Sequence, residues 1–277
     1  MKGKESSMPG PGSSQIALVI SDIDGTLITS NHEVTAATRA TAARLHARGI
    51  ALALASSRPP RSIFPLAAAL DLASPFAAFN GALLINAAGQ VTARSFLTPD
   101  VMAHVSDIAT RHEINVWIYT ETEWYAPVRD AFVEREEHTA GFPARLDDYQ
   151  QALQSEAVKL TVVGKPERVA EATVAVNSEL KGKVSASRSK PRFLDVTADG
   201  MHKGSVVIRL AGAYGVALQQ VAVIGDGPND IEMFRQAGLS MAMGQAVDEV
   251  RAAATVTTTS NDDEGWSRGI EKYVLNT

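Results

Sequence analysis

The sequence contains no cysteine. That absence excludes disulfides, thiolate-held zinc and a cysteine nucleophile, and it fits a reducing compartment. No stretch approaches the ~18 uninterrupted apolar residues of a membrane-spanning helix. Basic residues are not in excess either: 26 Lys and Arg against 31 Asp and Glu leave a net charge of −5. No basic stripe is visible, so nucleic acid is not an expected partner. Residues Met1 to Ser14 are rich in Gly, Ser and Pro but lack the apolar segment of a signal peptide. We expect a tail over 1–14 and a cytoplasmic location. No internal repeat is present.

What is there suits two packed modules. The chain has 277 residues, 45% hydrophobic and 21% charged, enough for a sizeable core. Short continuously apolar runs at Ile16–Ile20, Ile50–Ala55 and Pro75–Phe79 read as buried parallel strands. Between them Thr35–Arg48, stopped by Gly49, and Pro59–Leu70, containing Pro65, read as helices. This alternation predicts an open parallel sheet with helices on its faces, an α/β doubly wound core.

The rhythm then changes. Ala82–Ile85 and Gln90–Ser95 flank a four-residue turn and predict a hairpin. Helices at Pro99–Glu113, Asp130–Thr139 and Pro166–Leu180 are interspersed with strands at Asn115–Thr120, Glu123–Val128, Val158–Val163, Val184–Ser189 and Arg192–Val196. So many neighbouring strands predict a separate α+β unit. From Lys203 the alternating pattern returns, with helices at Lys203–Tyr214, Asp230–Ala237, Ala246–Ala253 and Trp266–Leu275. Strands at Val221–Ile224, Leu239–Met243 and Thr255–Thr258 lie between them. The expected organisation is a core of residues 15–82 and 194–277, split by an inserted α+β domain at 83–193.

Four polar clusters follow predicted strands or open a predicted helix: Asp22-Ile-Asp24-Gly25-Thr26, Ser56-Ser57-Arg58, Lys203, and Gly225-Asp226-Gly-Pro-Asn229-Asp230. Open α/β sheets bind ligands beyond the carboxyl ends of their strands, so a parallel sheet would gather these clusters along one edge. Aspartate is also a common cap and turn former, which accounts for any one cluster but not for all four in this order. Several carboxylates at close range require a cation, and all-oxygen ligands favour a hard ion such as Mg2+ when phosphate is also bound. Gly225-x-Gly227 lacks the third glycine of a dinucleotide fingerprint, and the glycine after Asp24 falls too early for a calcium loop.

These four clusters together resemble the signature of the haloacid dehalogenase superfamily. The insertion between the second and third resembles the type II, subclass B cap of its Cof-like sugar-phosphatase branch, as do Asn80-Gly81-Ala82 and Asp262-Asp-Glu264-Gly265. Where that branch commonly reads Ala-Thr-Gly-Arg, this chain reads Ala55-Ser56-Ser57-Arg58, which keeps a hydroxyl and alters the loop. The resemblance implies a phosphatase in which Asp22 attacks phosphorus and becomes an aspartyl-phosphate. It implies Asp24 as general acid and base, with Gly25, Ser56, Ser57, Lys203 and Asn229 on the phosphate. Asp22, Asp24 (through its carbonyl) and Asp226 would hold Mg2+, and Asp230 would support them.

The expected partner is a small phosphorylated metabolite, such as a sugar phosphate or cofactor phosphate. A phosphomutase or phosphotransferase on the same intermediate, and a non-catalytic phosphometabolite-binding module, are the alternatives; oligomeric state is not legible. In the insertion, Trp117, Trp124, Tyr125, Arg129, Arg135, His138 and Lys159 are candidates to touch substrate, although packing or solvation accounts for each singly. His202 reads as an exposed loop residue.

Overall fold

The fold is built on β1 (Leu18–Ser21), which is buried along its whole length in the computed structural model, where residues 15–72 and 75–276 are described. The expected tail at 1–14 lies outside the described residues. After β1 the chain makes a tight turn over 23–27, then α1 (Ala36–Ala47), β2 (Ala51–Leu54) and α2 (Pro60–Ala69). Next come β3 (Phe76–Ala78), β4 (Leu83–Ile85) and β5 (Val91–Arg94). The inserted unit then begins with α3 (Pro99–Arg111), β6 (Asn115–Tyr119), β7 (Trp124–Tyr125), α4 (Ala131–Ala140) and α5 (Tyr149–Ala152). It closes with β8 (Lys159–Val163), α6 (Pro166–Glu179), β9 (Val184–Lys190) and β10 (Phe193–Ala198). The core resumes with α7 (Lys203–Tyr214), β11 (Val221–Gly225), α8 (Ile231–Phe234) and β12 (Leu239–Ala242). It ends with α9 (Asp248–Ala253), β13 (Val256–Thr257) and α10 (Gly265–Ile270).

The core sheet is parallel, in the order β13-β12-β11-β1-β2. The chain winds outward from β1 to β2 on one side and from β11 to β13 on the other. β1 and β11 therefore flank the switch point where ligands collect in such sheets. Successive side chains of a strand face opposite ways. Leu18 and Ile20 thus pack with Val206, Val207 and Leu210 of α7, while Val19 packs with Leu45 of α1 and Ile270 of α10. Full burial of each such side chain contributes about 1.5–3 kcal/mol, which explains why these strands are apolar on both faces.

The inserted unit carries a five-stranded antiparallel sheet in the order β7-β6-β8-β10-β9. Its alternation has a functional consequence. Val116, Ile118, Leu160, Val162, Leu194 and Val196 pack beneath α3 and α6. The intervening Trp117, Tyr119, Lys159, Thr161 and Asp195 face the core. Register sets them side by side: Trp117 opposite Thr161, Tyr119 opposite Lys159, and Thr161 opposite Asp195. A slip of one residue would turn this polar set into the apolar layer.

Three local expectations differ from the structure. The hairpin β4–β5, expected within the insertion, pairs with β3 through Phe76↔Ile85, and β3 touches the parallel sheet through Ala55↔Ala77. Antiparallel partners join by short loops, so β4 extends β3 instead of joining the more distant cap sheet. β10 runs unbroken to Ala198, past the expected return to the core at 194. The helix expected at 230–237 is shorter, ending at Phe234. Among the described residues no helix is long and apolar enough to cross a membrane.

Candidate active site

β1 ends at Ser21, and the amide of Asp22 still donates to the Ile224 carbonyl of β11 at 3.0 Å. Asp22 therefore stands at the carboxyl edge of the central strand. The turn that follows needs Gly25 at φ +73°, and a Cβ there would lie 2.4 Å from Asp226 Oδ2. Glycine is thus required twice, for the backbone angle and for the approach of the neighbouring carboxylate. Asp226 follows β11 directly, and Thr26 donates to its Oδ1 at 3.0 Å.

Lys203 opens α7 and is almost wholly buried. Its Nζ lies 2.6 Å from Asp22 Oδ1 and 2.6 Å from Asp230 Oδ1. The other oxygen of Asp230 accepts from the amides of Asp226 and Gly227, at 2.9 Å each. Asp230 is thus saturated by the protein, and it fixes both the ammonium group and the loop that carries Asp226. Carboxylate oxygens of Asp22, Asp226 and Asp230 lie within 4.8 Å of one another.

The electrostatics follow from this crowding. Burial raises the Asp22 pKa well above its ordinary value; Lys203 opposes the rise, while Asp230 and Asp226 reinforce it. Burial, then repulsion from Asp230, pushes Asp226 up to about 6. Burial works against the Lys203 ammonium, but the charges of Asp22 and Asp230 override it and raise its pKa. One cation among three carboxylates leaves excess negative charge in a desolvated pocket. A hard divalent cation fits this all-oxygen donor set and would remove the repulsion.

The four clusters share the floor of a cavity of about 540 Å³. The inserted unit forms its roof, with Trp117, Tyr119, Glu136, Lys159 and Phe193 among the lining residues. Lys159 ties roof to floor: its Nζ donates to the Ser57 carbonyl at 3.0 Å and to Asp195 Oδ1 at 3.2 Å.

A family model described as haloacid dehalogenase-like hydrolase matches residues 19–270. The chain belongs to this family. It is an enzyme of the hydrolase class with an inserted α+β cap, and relatives that span nearly its whole length are named phosphatases. A Bacillus subtilis relative named 5-amino-6-(5-phospho-D-ribitylamino)uracil phosphatase is 25% identical over 94% of this chain and 96% of its own. A solved haloacid dehalogenase-like hydrolase from Bacteroides thetaiotaomicron superposes with a TM-score of 0.82 at 29% identity, covering 93% of this chain and 99% of the other. The structure of a subclass IIB sugar phosphatase shares the fold, with a TM-score of 0.81 at 23% identity over 92% of this chain and 98% of the other.

Within this hydrolase, Asp22, Asp24, Gly25, Ser57, Lys203, Asp226 and Asn229 all line the cavity. Ser56 is buried just beneath it, and its Oγ accepts from the Arg58 amide at 3.1 Å. The Asp24 side chain does not point at the carboxylate cluster. It receives Nε and a terminal nitrogen of Arg58, at 2.7 Å each. Burial favours the neutral Asp24 acid, yet the hydrogen bonds and charge of Arg58 hold its pKa below the ordinary value.

Of the seven cap candidates, only Trp117 and Lys159 line the cavity. Trp124 is buried, with its indole N–H donated to the Phe142 carbonyl. Arg129 pairs with Glu137, and Tyr125 stacks under Arg145. Arg135 and His138 lie outside the cavity lining. His202 is half-buried at the N-cap of α7, not in an exposed loop. Thr26 and Arg58 were named within their clusters but given no role, whereas Glu136 and Asp195 were not singled out by sequence reasoning.

Proposed function

We propose that this hydrolase is a Mg2+-dependent phosphatase that cleaves a small phosphorylated metabolite through an aspartyl-phosphate on Asp22. The observation that carries the reading is the convergence of Asp22, Asp226 and Lys203 beneath a roofed cavity of about 540 Å³. That size suits a sugar phosphate or cofactor phosphate better than a protein or nucleic-acid substrate. We take the cap to run from residue 95 to residue 198, and the enzyme to be cytoplasmic.

An Asp22 oxygen attacks phosphorus while the bond from phosphorus to the leaving oxygen breaks, splitting one difficult displacement into two easier ones. Lys203 offsets charge on the phosphoryl oxygens, and the amides after Gly25, the Ser57 amide and the Ser56 hydroxyl donate to them. Mg2+, held by Asp22, Asp226 and the Asp24 carbonyl, would supply the charge that lets a carboxylate approach a phosphate dianion. Asp24, in the turn that follows and lining the same cavity, gives its proton to the departing alkoxide. It then takes a proton from the water that displaces Asp22 from phosphorus. Arg58 must release Asp24, and Asp24 must take up a proton, before the first transfer, because the pair seen here leaves Asp24 ionised; the second transfer uses the carboxylate form. The relative named for a phosphoribitylamino-uracil ester supports a small, polar leaving group.

The test is phosphate release from phenyl phosphate with and without Mg2+. Activity should need the ion, stop with a chelator and fall to background in Asp22→Asn. Substantial turnover by that variant would remove Asp22 from its role.

A further inference from the structure

The cap face of the cavity holds more polar groups than packing explains, and most are already spent. The Lys159 ammonium is used by the Ser57 carbonyl, by Asp195 and by the face of Tyr119, 4.4 Å from the ring centre. Thr161 donates to the same Asp195 oxygen at 2.9 Å. Glu136 differs. It comes from α4, is half-buried, and lines the cavity. Tyr119 Oη donates to its Oε1 at 3.0 Å. Its other oxygen has no hydrogen-bond partner among the described residues. Arg58 is near enough for their charges to act on each other, yet the two form no ion pair.

We propose that Glu136 is a specificity-determining residue, accepting a hydrogen bond from a hydroxyl or amino group on the leaving group. This rests on the phosphatase reading above. A carboxylate only accepts, so an ester that presents O–H or N–H toward α4 is favoured over one that presents hydrocarbon or a second anion. The rings of Trp117 and Phe193, 5.7 Å apart, supply a wall for the carbon frame of the same group. Burial raises the pKa of Glu136, against the opposing charge of Lys159, so a donor from substrate replaces solvation the carboxyl has lost. Tyr119 fixes the carboxyl in place before substrate arrives.

Three esters separate the possibilities: phenyl phosphate, hexyl phosphate and sorbitol 6-phosphate, the last two alike in chain length and different in hydroxyls. The wild-type enzyme should favour sorbitol 6-phosphate over hexyl phosphate at least tenfold in kcat/KM. A charged hydrogen bond is worth about ten- to a hundredfold, so Glu136→Ala should erase most of that ratio, chiefly through KM. Glu136→Gln, which keeps the acceptor for Tyr119 and loses the charge, should fall between. If the wild type cleaves phenyl phosphate but shows no such preference, or the ratio in Glu136→Ala stays within about threefold of wild type, the specificity role is wrong and the phosphatase stands. If none of the three esters releases phosphate, both readings fall.

Discussion

Arg58 forks onto both oxygens of Asp24 at 2.7 Å, so the residue expected to donate a proton is held as a carboxylate by its nearest neighbour. A bidentate guanidinium pair is strong and directional. Arg58→Gln should let the Asp24 pKa rise from its depressed position. A general acid works while protonated, so the alkaline limb of the kcat/KM profile should move to higher pH in the variant, whatever its absolute rate. A profile whose limb stays in place, or moves down, would separate Asp24 from the titration that governs activity.

Lys203 is the only cation in contact with Asp22 and Asp230 among the described residues. Breaking a buried ion pair from one side costs about 3–5 kcal/mol, because the remaining charge has neither water nor partner. Lys203→Ala should therefore lose both turnover and about that much stability, read from urea unfolding in chelator. Lys203→Met, similar in length, should be no better. A variant of wild-type stability would show that the carboxylates find another counter-charge.

How much of this was legible follows from what each part requires. The strands and the four clusters were readable because a buried parallel strand demands an apolar run, and the residue after it must be polar to reach the edge. Asp22 and Asp226 each sit at such a junction, and Lys203 opens the helix where the alternating pattern resumes. Arg58 was visible but unassigned, because nothing in sequence says that its side chain turns to Asp24. Glu136 was illegible for a different reason: α4 is largely polar, and which of its acids faces the core depends on how the helix seats over the cap sheet. The hairpin at 83–94 was recognised as a hairpin, but periodicity does not name a strand's third partner. The four-residue α5 is too short to leave a periodic signal.

Asp22 and Asp226 link metal to pH. Both have raised pKa values in the folded protein, Asp226 at about 6. A raised carboxylate pKa means the folded state binds more protons than the unfolded one, so stability falls as pH rises through this interval. For Asp226 the loss runs from about pH 4, near its ordinary value, to about 6. A bound divalent ion favours the ionised forms and offsets that loss. Mg2+ should thus raise Tm more at pH 7.5 than at pH 5. Equal shifts at the two pH values would show that the ion does not sit on these carboxylates.

Gly25 carries the close packing of two motifs. At φ +73°, with Asp226 Oδ2 only 2.4 Å from where a Cβ would sit, Gly25→Ala cannot be accommodated without moving the second carboxylate. The expected outcome is a loss of Mg2+-dependent turnover larger than the loss of Tm, since the strain falls on the ligand and not on the core. A variant that needs no more Mg2+ than wild type would mean that Asp226 can shift without leaving the site.

Lys159 and Asp195 form the buried pair that fastens the cap to the Ser57 loop, at 3.2 Å from each other and 3.0 Å from the Ser57 carbonyl. Asp195 Oδ2 is buried without a partner, so the aspartate depends on Lys159 and Thr161 through its other oxygen. Lys159→Met leaves that carboxylate uncompensated and should destabilise strongly, by about 3–5 kcal/mol. Asp195→Asn in the same chain removes the orphaned charge and should recover much of the loss, giving a coupling energy of about 0.5–3 kcal/mol in a double-mutant cycle. The double variant still lacks the bond to Ser57, so its KM for phenyl phosphate should stay raised after stability returns. Recovery of KM together with stability would mean that the cap reaches its closed position without this contact.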